Sequence, residues 1–181
     1  MSFLVISASL NPVSRSRLLA RASLACFERL GVEADLLDLR ATPLPFCDGN
    51  ACYADPLVQE TARRIANAEG IVMAVPIYNF DVNAAAKNLV ELTGEAWEEK
   101  VTGFLCAAGG RTSYMSIMGL ANALMLDFRT IVAPRFVFAH EADFSEGRIV
   151  DATILQRIEE VTATVVRFAR ALNMQPHESE P

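Results

Sequence analysis

Short apolar runs alternate along this chain with longer stretches in which apolar residues recur at helical spacing. The runs at 3–6, 71–75 and 101–107 are nearly continuous in apolar character, which is typical of strands buried on both faces. Further strands are predicted at 34–39 and within 130–138. Helices are predicted over 14–30, 57–69, 83–93, 114–127 and 154–172.

Glycines and prolines predict where several of these elements end. Gly31, Gly70 and Gly94 each follow a predicted helix, where glycine readily takes the left-handed conformation that ends many helices. Pro76 follows the 71–75 run and lacks an N–H group, so the strand is expected to stop there. We expect one domain over 1–174 and a flexible tail at 175–181, because no linker or repeat divides the chain.

The order of elements predicts the fold class. Strands that alternate with helices indicate an α/β protein with a parallel sheet covered on both faces. Five such units in 181 residues suit a doubly wound, five-stranded sheet with strand order 2-1-3-4-5. Because ligands of such sheets bind beyond the carboxyl ends of the strands, the loops after the first, third and fourth strands are the candidate site.

Composition narrows the classes of partner and compartment. The net charge of -6 argues against nucleic acid, which favours a positive protein surface. No apolar stretch reaches the roughly 18 residues of a membrane span, so no membrane partner is expected. Met1-Ser2-Phe3 has no basic region or cleavage site of a signal peptide. With four cysteines read as free thiols, we expect a cytoplasmic protein.

The first loop concentrates hydrogen-bond donors at a strand-to-helix turn. It carries Ser9, Asn11, Ser14, Arg15 and Ser16, and the following helix adds unpaired N–H groups and a partial positive charge. The loop has neither G-x-G-x-x-G nor G-x-x-x-x-G-K-[ST], which disfavours dinucleotide and nucleoside triphosphate sites. It predicts a cup for a phosphate monoester. The alternative is that Ser14 only caps the helix and the arginine is solvated.

The other two loops predict a place for a flat ligand. Pro76 turns the chain at the sheet edge, so the following residues, Ile77, Tyr78, Asn79 and Phe80, can border or stack on an aromatic ring. In the third loop the paired glycines allow close backbone approach, and a helix soon afterwards would favour negative charge. A simple turn explains the third loop equally well in isolation, and the alternative for the second loop is an ordinary turn whose aromatic residues cover the rim of the core. The candidate residues of the third loop are Ala108, Gly109, Gly110, Arg111 and Thr112.

Together the three loops resemble the NADPH-dependent FMN reductases. The resemblance rests on S-x-x-x-x-S-R-S at 9–16, P-x-Y-N at 76–79, the Lys87-Asn88 pair and the Gly109-Gly110 turn, and it extends over 3–172. It implies a flavodoxin-like three-layer sandwich, bound FMN, and NADPH or NADH as reductant. It also implies a small-molecule acceptor such as a flavin, quinone or azo compound, and assembly as a homodimer or homotetramer.

The resemblance also assigns roles by matching position. The FMN phosphate would be held by Ser9, Ser14, Arg15 and Ser16. The isoalloxazine would be bordered by residues 76–79 and faced at its pyrimidine end by residues 109–112, with no catalytic side chain or metal. The chain departs from the family at Ala8, where glycine is usual. It departs again at Phe80, where the family commonly has glycine, and this change bears on acceptor preference.

Several alternatives stand beside this interpretation. An FMN electron carrier without turnover, or a flavin-free scaffolding domain, would have the same fold. A tyrosine phosphatase is rejected because Cys106 and Arg111 lack the required spacing and loop, and the two histidines have no ligand-spaced partner for zinc. Cys47 and Cys52 are expected to be unreactive loop thiols, with a redox pair left open.

Overall fold

A seven-stranded sheet forms the centre of the computed structural model, which describes residues 2–173. The tail at 175–181, predicted to be flexible, lies outside the described residues. The strands are β1 (Ser2–Ser7), β2 (Ala34–Asp38), β3 (Ala68–Tyr78), β4 (Asp81–Val82), β5 (Val101–Ala107), β6 (Ile131–Val132) and β7 (Val137–Ala139), and a separate hairpin pairs β8 (Phe144–Ser145) with β9 (Arg148–Ile149).

The predicted doubly wound order is confirmed. The parallel strands run β2-β1-β3-β5, with β6 and β7 both on the outer side of β5. The predicted fifth strand is split, since β6 pairs with the start of β5 and β7 with its end. Between them, Pro134 has no N–H group and Arg135 has a left-handed φ of 63°, so regular pairing is interrupted.

In the part of the chain that the structure describes, five α-helices cover the two faces of the sheet. They are α1 (Arg15–Arg29), α2 (Pro56–Asn67), α3 (Ala84–Thr93), α4 (Met118–Phe128) and α5 (Ala152–Asn173). Within residues 2–173, no helix combines the length and apolar character needed to cross a membrane.

Alternate residues of each strand feed two separate hydrophobic cores. In β1, Phe3 and Val5 pack with α1 and α5, whereas Leu4 and Ile6 pack on the side of α2, α3 and α4. The same alternation continues in β3 and β5. Because both faces are buried, the strands need apolar residues at successive positions, which explains the near-continuous runs in the sequence.

Two predicted element ends, at Gly70 and Pro76, are wrong. Both residues lie inside β3, which continues to Tyr78. A Cβ on Gly70 would lie only 2.9 Å from Cγ1 of Val165, so this glycine permits close approach of α5 rather than ending a helix. Pro76 is tolerated because its backbone faces the side of β1, and β1 already ends opposite Ala74.

The helix predicted over 114–127 also starts differently. Residues Tyr114–Ile117 form a 3-10 turn, and the α-helix begins only at Met118. Ser113, at the start of the turn, makes no capping hydrogen bond with its side chain. Without such a cap, the first N–H groups lack the acceptor that fixes a regular α-helical start.

Gly103 provides a test of the packing of α5 on the sheet. A Cβ at this position would lie 2.7 Å from Cγ1 of Val161 and 2.8 Å from Cγ2 of Val165, and branched valines have few alternative rotamers. Gly103→Ala should therefore lower the free energy of unfolding by about 1–3 kcal/mol. Gly109→Ala is the matched control, because nothing lies within 4 Å of its Cβ position. Urea unfolding of both variants measures the difference, and equal stabilities would contradict the close packing.

Candidate functional site

A cleft of about 970 Å³ opens at the carboxyl ends of β1, β3 and β5, where the strand order places a ligand. All three candidate loops contribute to it. The predicted residues that line the cleft are Ser9, Asn11, Ser14, Arg15, Ser16, Pro76, Ile77, Tyr78, Asn79, Ala108 and Gly109. The structure does not bring the remaining predicted residues, Phe80, Gly110, Arg111 and Thr112, into the lining of this cleft.

The β8–β9 hairpin forms a further wall that the sequence analysis missed. Phe144, Ser145, Glu146 and Gly147 line the cleft from this side. Glu146 and Gly147 both have positive φ, at 48° and 70°, as a tight two-residue hairpin turn requires. The Glu-Gly pair between Phe144 and Ile149 is the signal that would have found this hairpin.

Hydroxyl and amide groups organise the first loop around the start of α1. Ser14 caps the helix, since its Oγ accepts the N–H of Arg17 at 3.2 Å and lies 3.0 Å from Oγ of Ser16. Oδ1 of Asn11 accepts the N–H of Val13 at 2.9 Å. The capping alternative therefore describes Ser14 correctly. The first turn of α1 still presents N–H groups that have no acceptor within a helix, as an anion site needs.

Arg15 stands at the rim of the same loop. Its Nη2 lies 2.6 Å from Oε1 of Glu141, which follows β7, and its side chain is 39% exposed. An ion pair with this much exposure contributes little to stability and exchanges readily. The guanidinium is therefore close enough to the cleft to reach an anionic ligand, but it has a competing carboxylate.

Arg17, which the sequence analysis did not single out, holds the first loop in place. Its Nε lies 2.8 Å from Oδ2 of Asp38 at the end of β2, and its side chain is only 9% exposed. The same guanidinium donates to the carbonyl oxygens of Asn11 at 2.9 Å and Ser9 at 3.1 Å. The loop is thus tied to the neighbouring strand by its own carbonyl groups, which holds it against the start of α1.

Asn83 holds the first loop from the opposite side. Its Nδ2 donates to the carbonyl oxygen of Ala8 at 2.7 Å, although the residue stands at the start of α3 and makes no capping bond with its side chain. This buried contact joins the first loop to the chain segment that follows the second loop. No sequence signal distinguishes it from an ordinary helix cap.

The second loop is a tight hairpin between β3 and β4. Tyr78 pairs with Asp81, and the turn residues Asn79 and Phe80 have left-handed φ values of 52° and 63°. Asparagine adopts this conformation readily, but for phenylalanine it costs about 1–2 kcal/mol. Tyr78 and Phe80 are 52% and 68% exposed, and of these two aromatic residues Tyr78 lines the cleft.

The third loop gives its glycines room for a ligand. Neither Gly109 nor Gly110 has a positive φ, and no atom lies within 4 Å of where a Cβ would stand. The structure therefore gives no support to a strained turn as the reason for glycine. Arg111 points instead to His140, with Nε 2.6 Å from Nε2. The later start of α4 also corrects the expectation that a helix dipole follows this loop directly.

Metal and nucleophile chemistry have little basis at this site. Among residues 2–173, no group of three or more His, Cys, Asp or Glu side chains is arranged to hold a metal ion. Cys106 is fully buried in the core below the cleft, and this burial raises the pKa of its thiol far above the usual range. The cleft is instead built from donors at one end and aromatic and backbone surfaces at the other.

Comparison with known proteins places this cleft in context. The sequence model of the family described as NADPH-dependent FMN reductase matches residues 1–144 of this chain. A protein of Geobacillus thermodenitrificans named NAD(P)H-dependent FAD/FMN reductase is 30% identical over 141 residues, which is 76% of each chain. An NADPH:quinone oxidoreductase of Arabidopsis thaliana is 28% identical over 152 residues, or 78% of this chain and 77% of the plant protein.

A solved structure shares the fold at low sequence identity. The flavoenzyme NAD(P)H:(acceptor) oxidoreductase FerB of Paracoccus denitrificans superimposes with a TM-score of 0.76. The two sequences are 17% identical, and the match covers 94% of this chain and 97% of that chain. At this identity the likeness concerns the flavodoxin-like architecture alone.

The role of Arg17 leads to a prediction about stability. Arg17→Ala leaves Asp38 without its partner and several loop carbonyls without a donor, so the free energy of unfolding should fall by about 3 kcal/mol. Arg21→Ala is the matched control, because Arg21 is one turn further along α1, is exposed, and forms no ion pair within residues 2–173. Urea unfolding checks both. A loss of stability no larger than that of the control would contradict the anchoring role.

Proposed function

Because this chain belongs to the NADPH-dependent FMN reductase family, we propose that it is an FMN-dependent oxidoreductase. It takes hydride from NADPH or NADH and passes the electrons to a small-molecule acceptor such as a flavin, quinone or azo compound. The observation that carries this proposal is the cleft itself, which has donors from the first loop at one end and the Tyr78 and Gly109 loops at the other.

The first loop suits the phosphate of FMN. A phosphate monoester carries about -1.5 to -2 charges and has several strong acceptor oxygens. The N–H groups at the start of α1 and the hydroxyls of Ser9, Ser14 and Ser16 supply donors, with Asn11 beside them. The guanidinium of Arg15 supplies a charge, for which phosphate would compete with Glu141. Arg17 already has Asp38 as its partner and is assigned to holding the loop.

The other two loops suit a flat ring system. Pro76, Ile77, Tyr78 and Asn79 form one border, with Phe80 at the outer edge of the hairpin. The backbone of Ala108 and Gly109 forms the opposite border, where the open space beside the glycine permits close approach. Gly110, Arg111 and Thr112 lie outside the cleft lining, so we assign the backbone of Ala108 and Gly109, rather than those residues, to the pyrimidine end of the ring.

The residues of this chain bind and orient rather than react. When bound, FMN supplies the redox chemistry, because its N5 accepts hydride and the reduced ring returns electrons to an acceptor. We assign the backbone N–H groups near Gly109 to the stabilisation of negative charge at the pyrimidine end, since this glycine lines the cleft. Tyr78 and Phe80 leave an exposed aromatic edge on which a nicotinamide or a flat acceptor can stack.

The surface next to the cleft supports assembly of like chains. Exposed apolar side chains cluster in sequence around the second and third loops: Tyr78, Phe80, Tyr114, Met115 and Met118. We propose that a homodimer or homotetramer covers this surface, because exposed apolar patches of this kind favour protein contacts. Ala86 of α3 does not belong to this surface. It is buried in the core of its own chain and is therefore not available for a contact between chains. We place the protein in the cytoplasm, where NADPH and free thiols coexist.

The proposed function is tested by cofactor content and turnover. The purified protein should carry FMN, or bind added FMN, with the absorbance of a flavin. It should oxidise NADPH or NADH with a flavin, quinone or azo compound and without a protein partner. A flavin-bound protein that oxidises neither nucleotide would be the electron carrier instead. A protein that binds no flavin at all would be the scaffolding domain.

Arg15 gives a sharper prediction about the phosphate. Arg15→Ala should weaken FMN binding by about 1.5–3 kcal/mol, the usual contribution of a hydrogen bond to a charged group. Riboflavin lacks the phosphate, so its affinity should be the same for the wild type and the variant. Titrations followed by flavin fluorescence measure both affinities. An equal loss for riboflavin and FMN would show that Arg15 does not bind the phosphate.

Glu141 provides the matched control for this prediction. Glu141→Gln removes the carboxylate that pairs with Arg15, and frees the guanidinium for the ligand. FMN affinity should stay equal or increase in this variant. A decrease comparable with that of Arg15→Ala would indicate that the ion pair itself, rather than Arg15, supports the loop.

A further inference from the structure

A pair of cysteines lies close together in the loop between β2 and α2. Sγ of Cys47 and Sγ of Cys52 are 4.0 Å apart, in hydrogen-bond contact but not bonded. Neither residue lines the flavin cleft. The two cysteines are not in a C-x-x-C arrangement, so their sequence spacing leaves a redox pair open without favouring it.

The loop around the two thiols is firmly held. The N–H of Cys47 donates to Oδ1 of Asn88 in α3 at 2.9 Å, and Nδ2 of the same asparagine donates to the carbonyl oxygen of Pro45 at 2.9 Å. Oδ1 of Asp48 accepts the N–H of Cys52 at 3.1 Å. These contacts fix both cysteines in one ordered turn, so the short distance between the sulfurs is a property of the fold.

The surroundings make the two thiols unequal. A hydrogen bond from the Tyr53 hydroxyl, 3.5 Å from Sγ, and the N–H of Gly49 lower the pKa of Cys47. Burial and a hydrogen bond to Asp48 raise the pKa of Cys52. Cys47 is also partly exposed, whereas Cys52 is buried. The thiolate therefore forms more readily at the accessible sulfur, which is the one that a dissolved oxidant can reach.

We propose that hydrogen peroxide oxidises Cys47 and Cys52 to a reversible intramolecular disulfide. The thiolate of Cys47 attacks hydrogen peroxide, the O–O bond breaks, and sulfenic acid forms at Cys47 while hydroxide leaves and is protonated to water. The sulfur of Cys52 then attacks that sulfur, the S–S bond forms, and the S–O bond breaks. The proton of Cys52 leaves with the departing hydroxide as a second water.

The second step needs a short approach of the two sulfurs. A disulfide has an S–S distance of about 2.05 Å, so the sulfurs, now 4.0 Å apart, must approach by roughly 2 Å. The two electrons that peroxide gains come from the two sulfurs, and an added dithiol returns them when it reduces the disulfide. Because the oxidant comes from solution, this site does not depend on the proposed flavin chemistry.

Peptide mapping of the full-length protein tests the proposal. Trypsin cleaves after Arg40 and Arg63, so both cysteines lie on the single peptide 41–63. The protein is treated briefly with hydrogen peroxide, then unfolded, alkylated and digested. Peptide 41–63 should then carry no alkyl group, and its mass should be lower by two hydrogen atoms than that of the reduced peptide. Treatment with a dithiol before alkylation should restore both sites. Cys26 and Cys106 are buried internal controls and should remain fully alkylated.

Single substitutions test the order of the two steps. Cys52→Ser should accumulate sulfenic acid at Cys47, trapped as a dimedone adduct, because no second thiol can resolve it. Cys47→Ser should give several-fold less adduct at Cys52. The reverse pattern would overturn the order. In the wild type, unchanged alkylation of peptide 41–63, or its linkage to a second chain, would overturn the disulfide.

A double variant separates this site from the flavin reaction. The Cys47→Ser, Cys52→Ser protein should keep its bound FMN and most of its NADPH oxidation, because neither sulfur lines the cleft. If the double variant still binds flavin but loses a kinetic phase in rapid-mixing experiments, the two cysteines would lie on the electron path of the flavin reaction. That result would overturn a cysteine site that acts apart from the flavin. A failure of the wild type to bind flavin would leave the peptide-mapping result standing.

Discussion

The buried guanidinium of Arg17 is the constraint on which the candidate site depends. It pairs with Asp38 at the end of β2 and gathers the carbonyl groups of the first loop, while Asn83 holds Ala8 from the other side. Both contacts use carbonyl oxygens of the loop, so the loop is held in place while the first turn of α1 keeps N–H groups that have no acceptor within the helix. An acidic chain thereby maintains one local region that favours an anion, without needing a positive surface elsewhere.

The sequence predicts those features that arise from repeating patterns. Strand order and the position of the cleft follow from buried apolar runs alternating with helices, and the structure confirms both. Element ends were less predictable, because Gly70 and Pro76 usually signal a break, and only packing against α5 and the end of β1 explain why β3 continues through them. Contacts between distant segments, such as Arg17 with Asp38 or Asn83 with Ala8, have no local signature at all.

The β3–β4 hairpin holds one bulky residue in a strained backbone conformation. Its turn keeps Phe80 at a left-handed φ of 63°, which glycine adopts freely and phenylalanine does not. A strained residue persists only where the surrounding structure holds it, and such positions often lie at ligand sites. Phe80 is 68% exposed, whereas Tyr78, which lines the cleft, is 52% exposed.

The central claim is that the start of α1 binds the phosphate of FMN and that the Gly109 loop borders the ring. Backbone amide resonances of the 15N-labelled protein test it directly during titration with FMN and with riboflavin. The amides of Arg15 and Ser16 should shift strongly with FMN and little with riboflavin, whereas the amide of Gly109 should shift with both. Equal shifts of the α1 amides with the two ligands, or shifts confined to residues outside the cleft, would contradict the account.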